Sequence, residues 1–138
     1  MRSKSWMAIW AVAAAAWSCG GSKTPGTGQA GPVNGCSSFT DATAPGASRT
    51  VTFTFPSYSP PCLLIAAGQS VTFQGSFADH PLQPGVAPNS YGMEGASNPI
   101  PSTNSGSTAT VAFPDAGTYA YYCSRHFGNA MYGAVQVK

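Results

Sequence analysis

Charged side chains are scarce in this sequence. They make up 7% of its 138 residues, with six Lys or Arg and four Asp or Glu. A domain that binds nucleic acid concentrates Lys and Arg on one face, and no such concentration is present in the sequence. So few charges also give no long-range attraction for a charged partner. We therefore expect no nucleic-acid partner, and we expect protein partners to dock through short-range, largely apolar contacts.

The sequence also lacks an apolar segment long enough to cross a bilayer as a helix. Its longest apolar run, residues 6–17, is about 12 residues long, whereas a spanning helix needs about 20. Arg2 and Lys4 precede this run, and small residues and Cys19 follow it. Because this is the pattern of a bacterial export signal, we predict a signal peptide at residues 1–18 and a mature protein in the periplasm or cell envelope.

Residues 16–19 (AWSC) resemble the lipobox of bacterial lipoproteins, in which the cysteine is acylated and becomes the new N-terminus. Ala16 replaces the usual leucine and Trp17 is bulky for its position, so ordinary signal cleavage before Cys19 is the alternative. We expect Cys19 to carry a lipid. Residues 19–35 would then form a flexible tether, because a Gly, Ser, Thr and Pro stretch with almost no apolar side chains cannot bury enough surface to fold.

The rest of the chain has no helical period of useful length and no internal repeat. Instead, Val51, Phe53 and Phe55 alternate with threonines, which is the two-residue period of a half-buried strand. Similar segments, separated by Gly, Pro, Asn and Asp, occur at residues 62–66, 69–73, 108–113, 118–123 and 132–137. We predict an all-β sandwich or barrel at residues 36–138, with a long irregular stretch at residues 78–107 that shapes a site at one end.

Cysteine and histidine are rare, with four and two copies. Thiols outside the cytoplasm are usually paired, modified or bound to metal. If Cys19 carries a lipid, then Cys36, Cys62 and Cys123 remain. One of these three thiols must therefore stay unpaired.

The segment YYCSRHFGNAM at residues 121–131 places Cys123, His126 and Met131 within nine positions. Two imidazoles and one thiolate, with a weak thioether, define a blue-copper site, and His80 is the other histidine of the chain. The donor set therefore predicts one copper ion. The structural alternatives are that Cys123 is a buried core thiol and that His80 is an ordinary surface histidine.

Three segments resemble plastocyanin-type cupredoxins. Residues 117–133 (GTYAYYCSRHFGNAMYG) resemble the C-terminal ligand loop of that family. Upstream, AAGQSVTF at residues 66–73 and ADHPL at residues 78–82 resemble its strand and first-histidine loop, in the right order. The resemblance implies a Greek-key β-sandwich.

The resemblance also implies a role for each predicted ligand of a type 1 copper. His80 and His126 would be the imidazole ligands, Cys123 the thiolate and Met131 the long axial ligand. Met93 is a competing thioether, but Met131 has the spacing of the family. We therefore expect Met93 to be a packing residue.

The function that the resemblance implies is one-electron transfer between larger redox proteins, without enzymatic activity. Electrons would pass through His126, whose ring edge lies near the surface in the family. A monomer would dock through an apolar patch around that ring, and Phe127 would serve either in this patch or in packing. Two alternatives stay open, namely storage or delivery of copper by the same ligands, and a metal-free structural β-sandwich.

One position departs from the family pattern. Asparagine commonly follows the first histidine and donates its backbone N–H to the ligand sulfur, but this chain has Pro81, which has no N–H. Because hydrogen bonds from surrounding groups tune a metal, we expect the missing donor to stabilise oxidised copper and to lower the reduction potential.

Assignment of Cys123 to the metal leaves Cys36 and Cys62 as the available disulfide pair. Closing a loop of that length stabilises a domain by roughly 3 to 4 kcal/mol through chain entropy. The alternative is a bridge between Cys62 and Cys123, which would abolish the metal site.

Overall fold

The computed structural model describes residues 32–87 and 98–138. The predicted signal peptide, Cys19, most of the predicted tether and Met93 lie outside the described residues. In the described part of the chain, no helical segment has the length and hydropathy of a membrane span.

Nine β-strands make up the described part of the chain, together with one 3₁₀ turn at Phe127–Asn129. The strands are β1 (Thr40–Asp41), β2 (Thr50–Thr54), β3 (Ser57–Ser59), β4 (Cys62–Ile65), β5 (Ser70–Gln74), β6 (Leu82–Pro84), β7 (Thr108–Ala112), β8 (Gly117–Cys123) and β9 (Tyr132–Val137).

The strands form two sheets. One sheet has the order β1-β4-β9-β8-β6 and the other the order β3-β2-β5-β7. Strands β8 and β9 pair antiparallel, while β4 runs parallel to β9 and β2 runs parallel to β5. The prediction of an all-β Greek-key sandwich is confirmed.

The core lies between the two sheets, because the strands alternate buried and exposed residues in the two-residue period of a pleated sheet. In β2, Val51 and Phe53 are buried and the neighbouring threonines are not. Strand β8 differs, since its last five residues are all buried. Its outer face is therefore covered by other parts of the chain.

Phe55 departs from the alternation that the sequence predicts. Strand β2 ends at Thr54, and Phe55 lies in the following turn with 57% of its surface exposed. The prediction that Phe55 continues the buried face is wrong, because the Pro56 that follows cannot donate a backbone hydrogen bond to a strand ladder.

The start of the domain also differs from the predicted boundary at Cys36. Val33 forms a bridge with Cys36, and Asn34 is buried against the sheet. Residues 32–35, assigned above to the tether, therefore lie on the folded domain.

Candidate metal centre

The four predicted ligands lie where the ends of β6, β8 and β9 meet. Cys123 is the last residue of β8, and Met131 immediately precedes β9. His80 lies two residues before β6, which pairs with β8 so that Leu82 is opposite Cys123. The sheet thus brings the histidine of one loop next to the thiol of another, although 43 positions separate them in the chain.

The loop from Cys123 to Met131 is closed by its own backbone. The N–H of Cys123 donates to the carbonyl of Met131 at 2.9 Å, and the N–H of Met131 donates to the carbonyl of His126 at 3.3 Å. Ala130, just before Met131, adopts the left-handed conformation with φ of 60°. These bonds hold the loop in a tight turn that presents His126 toward Cys123.

A hydrogen bond also joins the two ligand loops. The N–H of Ser124 donates to the carbonyl of Pro81 at 3.1 Å. Pro81 is buried, and it contributes this acceptor although it has no N–H of its own.

The donor atoms of His80, Cys123 and His126 converge on one point. The two histidine Nδ1 atoms are 3.1 Å apart, and the Cys123 sulfur lies 3.4 Å from the Nδ1 of His126. The ligand atoms of all three residues lie within 4.8 Å of one another. One thiolate and two imidazole nitrogens at this spacing fit a single copper ion.

The four proposed ligands differ in how deeply they are buried. Cys123 and Met131 are fully buried, whereas His80 and His126 are half-buried. Burial, and then the neighbouring His126, lower the pKa of His80. The His80 ring is therefore neutral at ordinary pH, which is the form that binds a metal.

Aromatic rings flank both histidines. The Phe53 ring lies 6.2 Å from the His80 ring, and the Phe55 ring lies 5.1 Å from the His126 ring, each edge to face. Sequence reasoning missed the Phe55 contact, because the strand pattern placed that residue in the core. Phe127 is half-buried and packs on Tyr122 at 6.3 Å.

The structure contains a disulfide between Cys36 and Cys62, with 5.6 Å between their Cα atoms. Cys123 is the free cysteine of the described residues. The alternative bridge between Cys62 and Cys123 is therefore not formed.

Comparison with known proteins gives one family. Residues 54–138 match the family of copper binding proteins described as plastocyanin/azurin. Plastocyanin A/B of Petroselinum crispum is 32% identical over 84 residues, which cover 58% of this chain and 86% of that protein.

Solved structures agree on the fold. A mutant of amicyanin in its Cu(I) form is 25% identical with a TM-score of 0.50, over 69% of this chain and 86% of amicyanin. Pseudoazurin from Methylobacterium extorquens AM1 is 22% identical with a TM-score of 0.51, over 65% of this chain and 74% of pseudoazurin.

The family match covers more than half of the chain and includes all four predicted ligands. The predicted cofactor, copper, is confirmed by this match and by the cluster of His80, Cys123 and His126. The chain therefore belongs to the plastocyanin/azurin family of copper-binding proteins and is a cupredoxin, a copper-binding electron-transfer protein.

Proposed function

We propose that this protein holds one type 1 copper ion and carries single electrons between redox proteins, without acting as an enzyme. His80, Cys123 and His126 would be the strong ligands of the ion, and the Met131 thioether would be a weaker one. The observation that carries the proposal is the convergence of three soft or borderline donor atoms within 4.8 Å at one end of the sandwich.

The chain provides a rigid site for this role. When bound, copper supplies a centre that accepts and releases one electron. The backbone bonds between Cys123, Met131 and His126 hold the ligand loop, and the bond between Ser124 and Pro81 ties it to the His80 loop. Ligands held in this way keep their positions when the charge of the site changes. Full burial of Cys123 excludes water from the sulfur.

His126 is the proposed route for electrons, because its half-buried ring connects the buried thiol region to the surface. The exposed Phe55 ring lies against it. We name Phe55 and His126 the docking patch. An apolar patch with few charges nearby supports brief contacts with a redox protein that presents an apolar face.

We further propose export by residues 1–18 and attachment of a lipid at Cys19, with residues after Cys19 as the tether. The mature domain would then act as a monomer in the periplasm or at the cell envelope. Mass spectrometry of the mature protein from its host tests this, because an acylated Cys19 at the N-terminus and an unmodified one differ in mass.

Copper(II) titration of the purified protein tests the copper site. We expect an intense blue absorption from thiolate-to-copper charge transfer, and its loss in Cys123→Ser, which keeps the shape of the side chain but removes the thiolate. A colourless wild-type protein would refute the proposed site.

Voltammetry separates the carrier from the storage alternative. We expect a reversible one-electron wave and slow release of copper to a chelator. Rapid release of copper without a reversible wave would instead identify a protein that stores or delivers the ion.

A further inference from the structure

Asn34 is the buried polar residue of the described chain, with 7% of its surface exposed. Its backbone has a φ of 48°, in the left-handed region that asparagine tolerates better than most residues. The side chain uses both of its polar atoms. Its Nδ2 donates toward the carbonyls of Tyr121 at 2.9 Å, Gly133 at 3.0 Å and Gly85 at 3.2 Å, and its Oδ1 accepts from the N–H of Ala87 at 2.9 Å.

Two hydrogen-bond partners of Asn34 lie on β8 and β9, the strands on either side of the proposed ligand loop, and the other two lie just after β6. Tyr121 precedes Cys123 by two residues on β8, and Gly133 follows Met131 by two residues on β9. Gly85 directly follows β6, the strand that the His80 loop enters. A single amide group therefore connects β8, β9 and the segment after β6, two residues along the strands from the ligand loop.

Asn34 belongs to a short segment, residues 32–36, which we name the N-terminal strap. Its own turn is closed by a bond from the N–H of Cys36 to the carbonyl of Val33 at 2.9 Å. The disulfide then anchors it to Cys62, the first residue of β4, which pairs with Ala134 of β9. The strap precedes residues 54–138, the part that matches the family, so the family match assigns it no role.

We infer that Asn34 is a positioning residue of the copper site, which adds a tie across the paired strands β8 and β9 beside the ligand loop. The inference rests on the proposed ligands but not on the electron-carrier role. Tyr121 and Gly133 are opposite each other in the β8–β9 ladder, so removal of the amide leaves two buried carbonyls without that donor, which costs free energy and weakens the pairing next to the ligand loop. The backbone hydrogen bond between Cys123 and Met131, at the base of the loop, lies two residues from Tyr121 and Gly133. We expect this bond to weaken first.

Copper release tests the inference. In Asn34→Ala we expect copper to leave for an excess of chelator at least about tenfold faster than in the wild type, because loss of groups that orient ligands typically weakens metal binding by that factor. The control is Val111→Ala, which removes buried side-chain volume from β7 in the opposite sheet. If the two variants have matched unfolding free energies and release copper equally fast, Asn34 stabilises the fold only and the inference is overturned.

Amide hydrogen exchange in the metal-free protein gives a second readout that needs no copper. We expect the Cys123 amide to exchange faster in Asn34→Ala than in the wild type. Amides of β5 should keep their wild-type exchange rates once the change in the global unfolding free energy is taken into account. Equal acceleration of both sets would overturn the inference. Should Asn34→Ala not fold, Asn34→Ser is measured by the same two criteria. A wild-type protein that binds copper without a reversible one-electron wave would refute the electron-carrier role and leave the inference intact, whereas an unchanged Cys123 exchange rate in Asn34→Ala would overturn the inference and leave the proposed function intact.

Discussion

The Cys123 sulfur lies in a fully buried residue, and the ligand atoms of His80 and His126 lie within 4.8 Å of it. Burial raises the pKa of Tyr58 and of Tyr121, and the charge of Cys123 raises that of Tyr58 further. Both phenols therefore stay neutral, and Tyr58 places no negative charge near the thiolate. A dry pocket of this kind disfavours the more highly charged oxidised site, which opposes the effect expected from Pro81.

Replacement of Pro81 tests how a single backbone N–H tunes the copper. In Pro81→Asn we expect a higher reduction potential, because the new N–H can donate to the Cys123 sulfur and stabilise the reduced, less charged site. One such hydrogen bond is worth about 1 kcal/mol, which is roughly 40 mV for one electron. Voltammetry measures the shift. Pro81→Ala is the matched control that adds the N–H without the side-chain amide, and an unchanged or lower potential in Pro81→Asn would contradict the expectation.

Replacement of Phe55 tests whether the docking patch contributes to electron transfer. Its ring is 57% exposed and contacts His126, so Phe55→Ser removes apolar surface from the patch but little from the core. We expect the unfolding free energy to change by less than about 0.5 kcal/mol, and the rate of electron exchange between two copies of the protein to fall. Stopped-flow or NMR line broadening measures this rate. An unchanged rate at unchanged potential would remove Phe55 from the docking patch.

At the scale of elements, the pairing of β8 with β9 shapes the ligand loop. Tyr121 lies opposite Gly133, and its hydroxyl donates to the carbonyl of Pro61 at 2.7 Å. A Cβ at Gly133 would lie 2.6 Å from that hydroxyl oxygen and would also meet the Pro61 carbonyl. The absence of a side chain at Gly133 therefore lets Tyr121 and the chain before β4 approach β9.

Gly133→Ala should destabilise the fold by about 1 to 3 kcal/mol, the usual cost of an overpacked core. Since Gly133 follows Met131 by two residues, we also expect the blue absorption to shift. Urea unfolding and absorption spectra measure the two effects. Gly128→Ala is the control, because a Cβ at Gly128 meets no atom within 4 Å. Equal stability of the two variants would contradict the close approach at Gly133.

Element by element, the longer strands were predictable and the short ones were not. The six segments predicted from the alternation of apolar residues correspond to β2, β4, β5, β7, β8 and β9, with ends that differ by at most one residue. Strands β1, β3 and β6 have only two or three residues each. So few positions carry no readable period, and these strands exist because a neighbouring strand offers hydrogen bonds.

At the scale of the whole molecule, one disulfide links the N-terminal strap to the sheet. Loss of the bridge in a Cys36→Ser, Cys62→Ser double variant should lower the unfolding free energy by about 3 to 4 kcal/mol, because the unfolded chain regains the entropy of a closed loop. The two cysteines are 26 residues apart. Urea denaturation measures the loss.

The same double variant should keep the wavelength of the blue absorption, since neither cysteine belongs to the proposed ligand set. Loss of the colour in a folded variant would show that the bridge itself shapes the copper site. The wild-type protein treated with a reductant that leaves the bridge intact is the control for oxidation of Cys123.

By itself, the sequence determined the sandwich and the ligand loop. Strand alternation and the spacing of Cys123, His126 and Met131 are local patterns, which a short stretch of chain encodes. His80 was expected as a ligand from its resemblance to the first-histidine loop, but only the tertiary structure shows how groups distant in sequence meet the ligand loop. It brought His80 beside Cys123 through the pairing of β6 with β8, and it placed Phe55 against His126. It also showed that Asn34, near the end of the predicted tether, is buried and donates hydrogen bonds to both β8 and β9. Such contacts depend on how segments far apart in sequence pack together, and no local pattern records them.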